Sequence, residues 1–377
     1  MFNPLCFYTD PDMTREQQNW LRLHMTSGLG RVGIMRLMEV FGSVEAILAA
    51  GPTAWRQQAG IRAAVAAALP APQDPHLLRT VQHLDRIGAT IITFWDRHRY
   101  PAALRTIYDP PALLYVLGEL PEAESLAVVG ARRASEPGRR LTRSICAELA
   151  ARDITIVSGL ARGIDSAAHL GALETGRTVA VLGCGIDLIY PQENIELAHR
   201  IASAGAILSE YPPGTPPLPG HFPGRNRIIS GLAKGVVIVE AAEKSGSLLT
   251  ADFALEQGRE VFAVPGQVYS RTSGGVNRLL KDGAHLVTEA RDILDTLWPD
   301  RASILPISAE DPLPKKLSAE QLTVYENLGA EPLHIDELAR KCRLTPMELS
   351  AILLHLELEG GAEQLPGTRY IRKNSPR

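Results

Sequence analysis

Glycine, serine and arginine recur directly after short apolar runs in the middle of the chain, and together these residue types can bind phosphate. Glycine lets backbone amides approach an anion, serine adds a hydroxyl donor, and arginine adds a forked cation that matches phosphate oxygens. Glycine alone would be weak evidence, since tight turns require it anyway. The candidate phosphate-binding residues are Gly130, Arg132, Ser135, Ser158, Gly159, Arg162, Gly163, Ser245, Gly246 and Ser247. Their recurrence after successive apolar runs predicts one shared anion site.

The segment HFPGRNR (221–227) places an aromatic ring beside two arginines. Its candidate residues are Phe222, Arg225, Asn226 and Arg227. A ring for base stacking and arginines for phosphates are the groups with which proteins hold single-stranded nucleic acid. We interpret the segment as a loop that leads into a helix over IISGLAKG. The alternative is that Phe222 belongs to the core and that the two arginines cap local carbonyl groups.

Short β-rich runs alternate with helical patterns from Ser125 onward, beginning with LAVVG, ITIVSG and TVAVLG. This alternation predicts an α/β fold with an extended Rossmann-like, doubly wound and mostly parallel sheet. The apolar runs are nearly continuous, as in strands that are buried on both faces. Ligands of such sheets bind outside the carboxyl ends of the strands, which is where the candidate residues fall. Helices are predicted near 138–151, 163–175, 193–203 and 247–257.

Two smaller units flank the predicted sheet domain. Residues 14–69 have helical apolar spacing, and a Pro-containing segment at 70–75 ends this part. The predicted organisation is a small all-α domain over 1–72, a Rossmann-like domain over 76–298, a linker over 299–317 and a winged-helix domain over 318–377. The winged helix is inferred from three helical patterns and a terminal β-hairpin. Its expected recognition helix, about 346–359, contains no Lys or Arg, so we interpret this domain as a protein-contact or regulatory module.

A glycine pattern near the N-terminus, Gly28, Gly30 and Gly33, fits G-x-G-x-x-G. In a dinucleotide-binding site this pattern must follow a strand, whereas here helical patterns precede and follow it. We therefore predict a tight turn between two helices, resembling a helix-hairpin-helix. Such a turn can present backbone amides to a DNA phosphate, and the alternative is a small bundle used only for packing.

The bulk composition excludes several classes of protein. The chain is 45% hydrophobic and 21% charged, as soluble globular proteins are, and its net charge of -3 means that any anion site depends on local arrangement. The four cysteines are far apart, so neither a zinc site nor a disulfide framework is indicated. Neither a membrane span nor a signal peptide is expected. No Walker loop occurs, and GARRAS replaces the dinucleotide fingerprint, so we predict a cytoplasmic protein without cofactor or metal.

Acidic residues near the predicted site raise the question of catalysis. Asp165 and His169 lie four residues apart on a predicted helix and share a face. They could form an acid–base pair, but we favour a structural interpretation in which Asp165 caps the loop and His169 packs between helix and sheet. Glu210 and Glu240 end strands, and we expect them to orient arginines or loop amides. No catalytic residue is predicted.

A series of motifs between about residues 100 and 290 resembles the DNA-processing protein A family (DprA, also called Smf). In chain order these motifs are GARRAS, VSGLARGIDSAAHLGAL, VAVLGCGID, YPQEN, HFPGRNRIISGLAKGVVIVEA, SGSLLTA, GREVFAVPG and GGVNRLLKDGA. The flanking units resemble the SAM-type N-terminal domain and the winged helix of some members. The first motif reads G-A-R where many members have G-S-R, which removes one hydroxyl donor but keeps Gly130 and Arg132.

The resemblance implies a non-enzymatic recombination mediator. Such a protein binds and protects single-stranded DNA, helps to load RecA onto it in natural transformation, and forms a homodimer through its Rossmann-like domain. The DNA contacts that the resemblance implies are Arg132, Arg225, Asn226 and Arg227, with Ser158, Gly159 and Arg162 lining a phosphate pocket. The segment 285–297 is our expected dimer or partner surface because it is apolar and helical in pattern.

The alternative function is that of a nucleotide-processing enzyme, because nucleoside monophosphate glycosidases have a fold of similar outline. Those enzymes resemble one another through a P-G-G-x-G-T-x-x-E loop. The comparable region here, SGSLLTADFALE, lacks the glycine run and has no glutamate at that spacing. The sequence therefore favours DNA binding over nucleotide hydrolysis.

Overall fold

The structure is a computed structural model that describes residues 13–270, 272–302, 317–329, 332–359 and 361–372. The chain divides into two compact units, Met1–Ala302 and Ser303–Arg377. Cys6 and most of the predicted linker lie outside the described residues. The described start of that linker is helical, because Pro299 suits the first position of a helix, where no backbone N–H is needed.

Five helices form the N-terminal part of the first unit. They are α1 (Arg15–His24), α2 (Arg31–Phe41), α3 (Val44–Ala59, interrupted at Gly51), α4 (Ala63–Ala67) and α5 (Pro75–Ile87). A capping box between Thr14 and Gln17 begins α1. Trp20 and Trp55 are buried in the same hydrophobic cluster as Tyr115 of the sheet. The boundary predicted near residues 72–76 thus separates two kinds of secondary structure within one compact unit.

A nine-stranded sheet forms the centre of the first unit. Its strands are β1 (Ala89–Thr93), β2 (Leu113–Gly118), β3 (Ser125–Gly130), β4 (Thr155–Ser158), β5 (Thr178–Leu182), β6 (Ala206–Ser209), β7 (Gly235–Val239), β8 (Glu260–Ala263) and β9 (His285–Leu286). The spatial order is β1-β2-β6-β5-β4-β3-β7-β8-β9. Strand β2 is antiparallel to both neighbours, and the other pairs are parallel. The predicted Rossmann-like, mostly parallel sheet is confirmed.

Helices connect the parallel strands and cover both faces of the sheet. They are α6 (Ala102–Arg105), α7 (Glu136–Ala150), α8 (Ile164–Thr175), α9 (Ile195–Ala204), α10 (His221–Leu232), α11 (Leu248–Glu256), α12 (Gly274–Lys281), α13 (Ala290–Leu297) and α14 (Pro299–Ala302). From β3 the chain winds outward to β6 and then returns to β7 on the other side of β3. The carboxyl ends of β3 and β7 therefore form the topological switch point, where open α/β sheets bind ligands.

The prediction of a loop at 221–227 was wrong, because α10 already begins at His221. Pro223 is the third residue of this helix, within the first turn, where backbone N–H groups have no partner in the helix. Arg225 and Arg227 consequently lie on a helix that packs against the sheet, and both are buried.

The segment predicted as an apolar partner surface is mostly used inside the first unit. The apolar residues of α13, including Ile293 and Leu294, join Trp298 in a core cluster with α7 and β3. The exposed part of the segment is β9, a two-residue edge strand in which Leu286 is 54% exposed. An open strand edge remains the feature of this segment that could meet another chain.

The second unit is the predicted winged helix. Its elements are α15 (Ala319–Asn327), β10 (Leu333–His334), α16 (Ile335–Cys342), α17 (Pro346–Leu358), β11 (Ala362–Leu365) and β12 (Arg369–Arg372). The strands form an antiparallel sheet in the order β10-β12-β11. Thr345 caps α17 and Pro346 is its first residue, as the sequence indicated.

In the ranges that the structure describes, no helix is long and apolar enough to cross a membrane.

Candidate nucleic-acid interface

Two glycines allow the loop after β3 to lie against the start of α8. A Cβ on Gly130 would stand 1.8 Å from the Val239 carbonyl oxygen, so only glycine fits between β3 and β7. Gly163 has a φ of +76°, and a Cβ there would meet the Ala131 carbonyl oxygen at 2.2 Å. The amide of Ile164 donates to that same oxygen at 3.2 Å. The predicted glycine loops therefore meet at the switch point.

The loop after β3 presents two exposed cations. Arg132 and Arg133 are exposed, and neither forms an ion pair with any residue in the described ranges. The Arg132 guanidinium lies 5.4 Å from the centre of the Phe222 ring, within the range of a cation–π contact. This loop therefore carries two exposed cations that form no direct ion pair with a carboxylate of the described residues.

An aromatic pair lies beside these cations. The rings of Phe222 and Tyr190 are 6.0 Å apart and tilted, and Tyr190 is 45% exposed. Gly183 lets Phe222 approach, since a Cβ there would be 3.0 Å from the ring. Tyr190 is not among the predicted site residues, although it follows the glycine-rich loop after β5 and begins the YPQEN motif.

Arg162 is exposed but paired with Glu193. Its guanidinium nitrogens lie 2.6 and 2.7 Å from the two carboxylate oxygens, and both side chains are more than half exposed. Glu193 raises the pKa of Arg162, and Arg162 lowers that of Glu193. Because exposed ion pairs contribute little, Arg162 can exchange this carboxylate for a phosphate.

Arg225 is buried, with only 5% of the residue exposed, and its guanidinium connects neighbouring elements. Its Nη1 donates to the carbonyl oxygens of Gly159, at 2.7 Å, and Val181. It thereby ties the carboxyl ends of β4 and β5 to α10, and Gly159 has no room for a Cβ beside its guanidinium. Burial lowers the pKa of Arg225, and the nearby Asp165 carboxylate opposes this shift. Arg225 therefore binds backbone carbonyl groups, as in the alternative interpretation, but these carbonyls belong to other elements and are not local in sequence.

Arg227 is buried in a charge network. One of its nitrogens lies 2.6 Å from both carboxylate oxygens of Glu210, and its Nε lies 3.0 Å from Asp109. Asp109 also pairs with Arg31 of α2. Glu210 therefore orients an arginine, as the sequence indicated, and Arg227 faces carboxylates rather than the surface.

Glu240 occupies the N-terminus of α7. Its carboxylate accepts the Ser135 amide at 2.8 Å and the Ser135 hydroxyl, and that hydroxyl in turn accepts the Gly138 amide at 3.1 Å. Glu240 adopts a left-handed backbone conformation with a φ of 51°, which is uncommon for a residue with a side chain. The expected role of Glu240 in orienting loop amides is present, and Ser135 serves as a helix cap.

Three other polar residues also have structural partners. Ser158 is fully buried and donates to the Val128 carbonyl oxygen at 2.6 Å, so its hydroxyl does not reach the edge surface. Asp165 accepts the Gly159 amide at 3.1 Å, and burial raises its pKa. His169 is buried, accepts the Leu160 amide at 3.3 Å, and has its pKa lowered to about 3 by desolvation. The structural interpretation of Asp165 and His169 matches these contacts.

The loop after β7 lies near the start of α10. The Asn226 amide donates to the Gly246 carbonyl oxygen at 3.3 Å, and the hydroxyls of Ser245 and Ser247 are 2.7 Å apart. Gly246 is exposed and the two serines are half-buried. The structure thus brings these four predicted residues together.

The N-terminal glycine pattern is a turn between α1 and α2, as predicted. Gly28 has a φ of +77° and Gly30 is the N-cap residue of α2. A cleft of about 650 Å³ separates this turn from the residues that follow β6, Glu210 to Pro213. Arg31 therefore lines a cleft at the same sheet edge as the charge network.

Fold and site together define a Rossmann-like protein whose switch-point edge carries exposed arginines beside aromatic rings. The family model for DNA recombination-mediator protein A matches residues 90–298, and the model for the DprA winged helix domain matches residues 308–368. The chain therefore belongs to the DNA recombination-mediator protein A family, and the resemblance seen in the motifs is confirmed.

Individual relatives agree with this assignment. Protein Smf of Escherichia coli is 44% identical over 74% of this chain and 76% of its own length. DNA processing protein A of Streptococcus pneumoniae has a solved structure that is similar with a TM-score of 0.66 and 36% identity, covering 76% of this chain and 98% of that one. A second solved structure, which describes the single-stranded DNA binding mode of DNA processing protein A from Helicobacter pylori, has a TM-score of 0.51 and 32% identity. The match covers 56% of this chain and 96% of that one.

Proposed function

We propose that this protein binds single-stranded DNA along the carboxyl edge of its sheet and promotes RecA loading onto that strand in the cytoplasm, in recombination and natural transformation. The observation that carries the proposal is Arg132 against the Phe222 ring, which packs beside Tyr190, with a second exposed arginine, Arg133, next to it in the same loop. Cations can hold successive phosphates while the rings stack on bases that a duplex would keep hidden. The single-stranded DNA binding mode of the Helicobacter pylori relative supports the same ligand.

The first test is binding of fluorescent oligothymidine, measured by anisotropy at several salt concentrations. We expect the double variant Arg132→Ala/Arg133→Ala to bind more weakly, with the slope of log K against log salt reduced by about 0.7 for each phosphate that the protein no longer neutralises. Arg177→Ala is the matched control, because Arg177 directly precedes β5 at the opposite edge of the sheet. An unchanged slope in the double variant would contradict the proposed interface.

RecA loading is a separate step, and it needs a separate assay. Oligonucleotide coated with single-strand binding protein is incubated with RecA, and RecA-dependent ATP hydrolysis is followed with and without this protein. We expect the wild type to shorten the lag and the Arg132→Ala/Arg133→Ala variant to lose that effect. Equal lags with and without the wild-type protein would exclude the loading role while leaving DNA binding intact.

A homodimer through the Rossmann-like unit is part of the proposal. Strand β9 is the last strand of the nine-stranded sheet, and Leu286 on it is 54% exposed. Exposed apolar side chains next to a strand edge favour contact with another chain. Light scattering should give a dimer mass for the wild type and a lower mass for Leu286→Glu.

We propose that the protein acts without catalysis. The titratable residues nearest the site have structural partners: Asp165 caps a loop, His169 is buried, and Glu240 binds Ser135. Because their polar atoms bind these partners, we do not expect any of the three side chains to protonate a leaving base. Incubation with nucleoside monophosphates should release no free base, and release that is lost in an Asp165→Asn variant would favour the glycosidase-like alternative.

A further inference from the structure

Helix α17 of the winged helix is apolar on two opposite faces. Leu349, Leu353 and Leu356 are completely buried in the core of the second unit. On the opposite side, Met347 is 83% exposed and Leu354 is 58% exposed. An apolar face of a helix is normally buried against another element. Among the described residues, nothing covers Met347 and Leu354 on the outer face of α17.

The exposed residues form a continuous stripe. Met347, Ala351 and Leu354 are spaced at i, i+4 and i+7, so they follow one another along a single helix face. Ala351 is also exposed. The stripe is about 10 Å long at 1.5 Å per residue, or about two turns. This spacing and length match the contact that a second amphipathic helix makes with its apolar face.

The charges that border the stripe indicate the chemistry of the partner. Glu348 and Glu357 lie on α17, Glu359 follows it, and the helix contains no Lys or Arg. Capping contacts lower the pKa of Glu348, so it is ionised at neutral pH. Duplex DNA would bring phosphates toward these carboxylates, and a second copy of the same face would bring carboxylates toward carboxylates. Both arrangements place like charges together.

We propose that the Met347, Ala351 and Leu354 stripe is a docking surface for an amphipathic helix with basic flanks on a partner protein. The apolar face of that helix covers the stripe, and its Lys or Arg residues face the glutamates on either side. The stripe lies in the second unit and the DNA-binding edge lies in the first, and each has its own assay, so the failure of one proposal can be told from the failure of the other.

The test uses the full-length chain and designed peptides of about four helical turns. One peptide has leucine on one face and lysine elsewhere, the second has glutamate in place of lysine, and the third has the residues of the first in scrambled order. We expect only the first to bind in a calorimeter. The variants Leu354→Glu and Met347→Glu should each weaken that binding about tenfold or more, as loss of a central anchor does.

These substitutions distinguish apolar docking from simple charge attraction. Each adds a negative charge, so a purely electrostatic site would bind the lysine peptide more tightly in the variants. Leu322→Glu is the matched control, because Leu322 is an exposed leucine of the same unit, on α15. Circular dichroism and oligothymidine binding should be unchanged in all three variants.

Four results would overturn the proposal. The first is no binding of the leucine–lysine peptide by the wild type, and the second is equal binding of the scrambled peptide. The third is self-association of the wild-type chain that Leu354→Glu abolishes, since the occupant would then be a second copy. The fourth is duplex DNA binding that is lost in Leu354→Glu, since the helix would then be a DNA reader.

Discussion

The same substitution, Arg→Met, should reduce stability at Arg225 and DNA binding at Arg132, although the sequence suggested one role for both arginines. At Arg225 the change removes the donor to the carbonyl oxygens of Gly159 and Val181 and leaves both without that partner inside the protein. Leaving a buried polar group unsatisfied costs about 1–3 kcal/mol. Methionine fills much of the volume, and removing a buried charge offsets part of this cost. We therefore expect a net loss of about 2 kcal/mol in the free energy of unfolding.

For a unit that spans Met1–Ala302, that loss corresponds to a fall of roughly 3 °C in Tm. At Arg132 the side chain is exposed and lacks an ion pair among the described residues, so stability should change by less than about 0.5 kcal/mol. There the change should instead weaken oligothymidine binding and lower the salt slope by about 0.7.

Thermal unfolding and anisotropy titrations on both variants measure the two effects. Arg177→Met serves as the control for replacing an arginine at the opposite sheet edge. The reasoning is refuted if Arg225→Met keeps the wild-type Tm while lowering both DNA affinity and the salt slope, because Arg225 would then contact phosphate directly. A large Tm loss in Arg132→Met would equally contradict the assignment.

Phe222→Ala should weaken oligothymidine binding by about 1–3 kcal/mol while Phe222→Tyr retains it, and equal binding by both variants in anisotropy would exclude stacking on this ring. Glu210→Ala should destabilise the fold by about 3 kcal/mol, because it removes one of the two carboxylates that pair with the buried Arg227 and leaves Asp109. Urea unfolding measures this loss. A change below about 1 kcal/mol would show that water already solvates the charge network. His169 has a folded pKa of about 3, below its unfolded value near 6.5, so the unfolded state binds the extra proton and stability should fall as pH drops from about 6.5 toward 3. His169→Gln should flatten that fall in urea unfolding at pH 7 and pH 5, and parallel pH profiles would refute it.

Local pattern was sufficient to predict the sheet, its switch point and several structural roles. Alternating apolar runs gave the strands, and the structural interpretation of Asp165 and His169 was preferred over the acid–base pair that their spacing also allowed. These features depend on neighbours that are close in sequence, where periodicity and turn chemistry determine the structure.

The burial of Arg225 and Arg227 could not be predicted in the same way. Because arginine is rarely buried, the sequence predicted that both side chains would lie at the surface. Their burial depends instead on which face of α10 packs against the sheet. Their partners, such as the Val181 carbonyl oxygen and Asp109, are distant in sequence. The prediction that the Ser158 hydroxyl lines the phosphate site was wrong for a related reason. Only the packing of β4 against β3 determines that this hydroxyl points inward.

The position of Glu240 affects how well free nucleotides can compete with DNA for this edge of the sheet. In Rossmann-like proteins that bind dinucleotides, the helix N-terminus after the first strand receives the pyrophosphate. Here the Glu240 carboxylate already satisfies Ser135 at that helix, so an incoming pyrophosphate would meet a fixed negative charge and donors that are in use. The many free nucleotides of the cell would therefore compete poorly for this edge. In the proposed interface a DNA strand would avoid the obstacle, because it would cross the exposed arginines without entering the helix terminus.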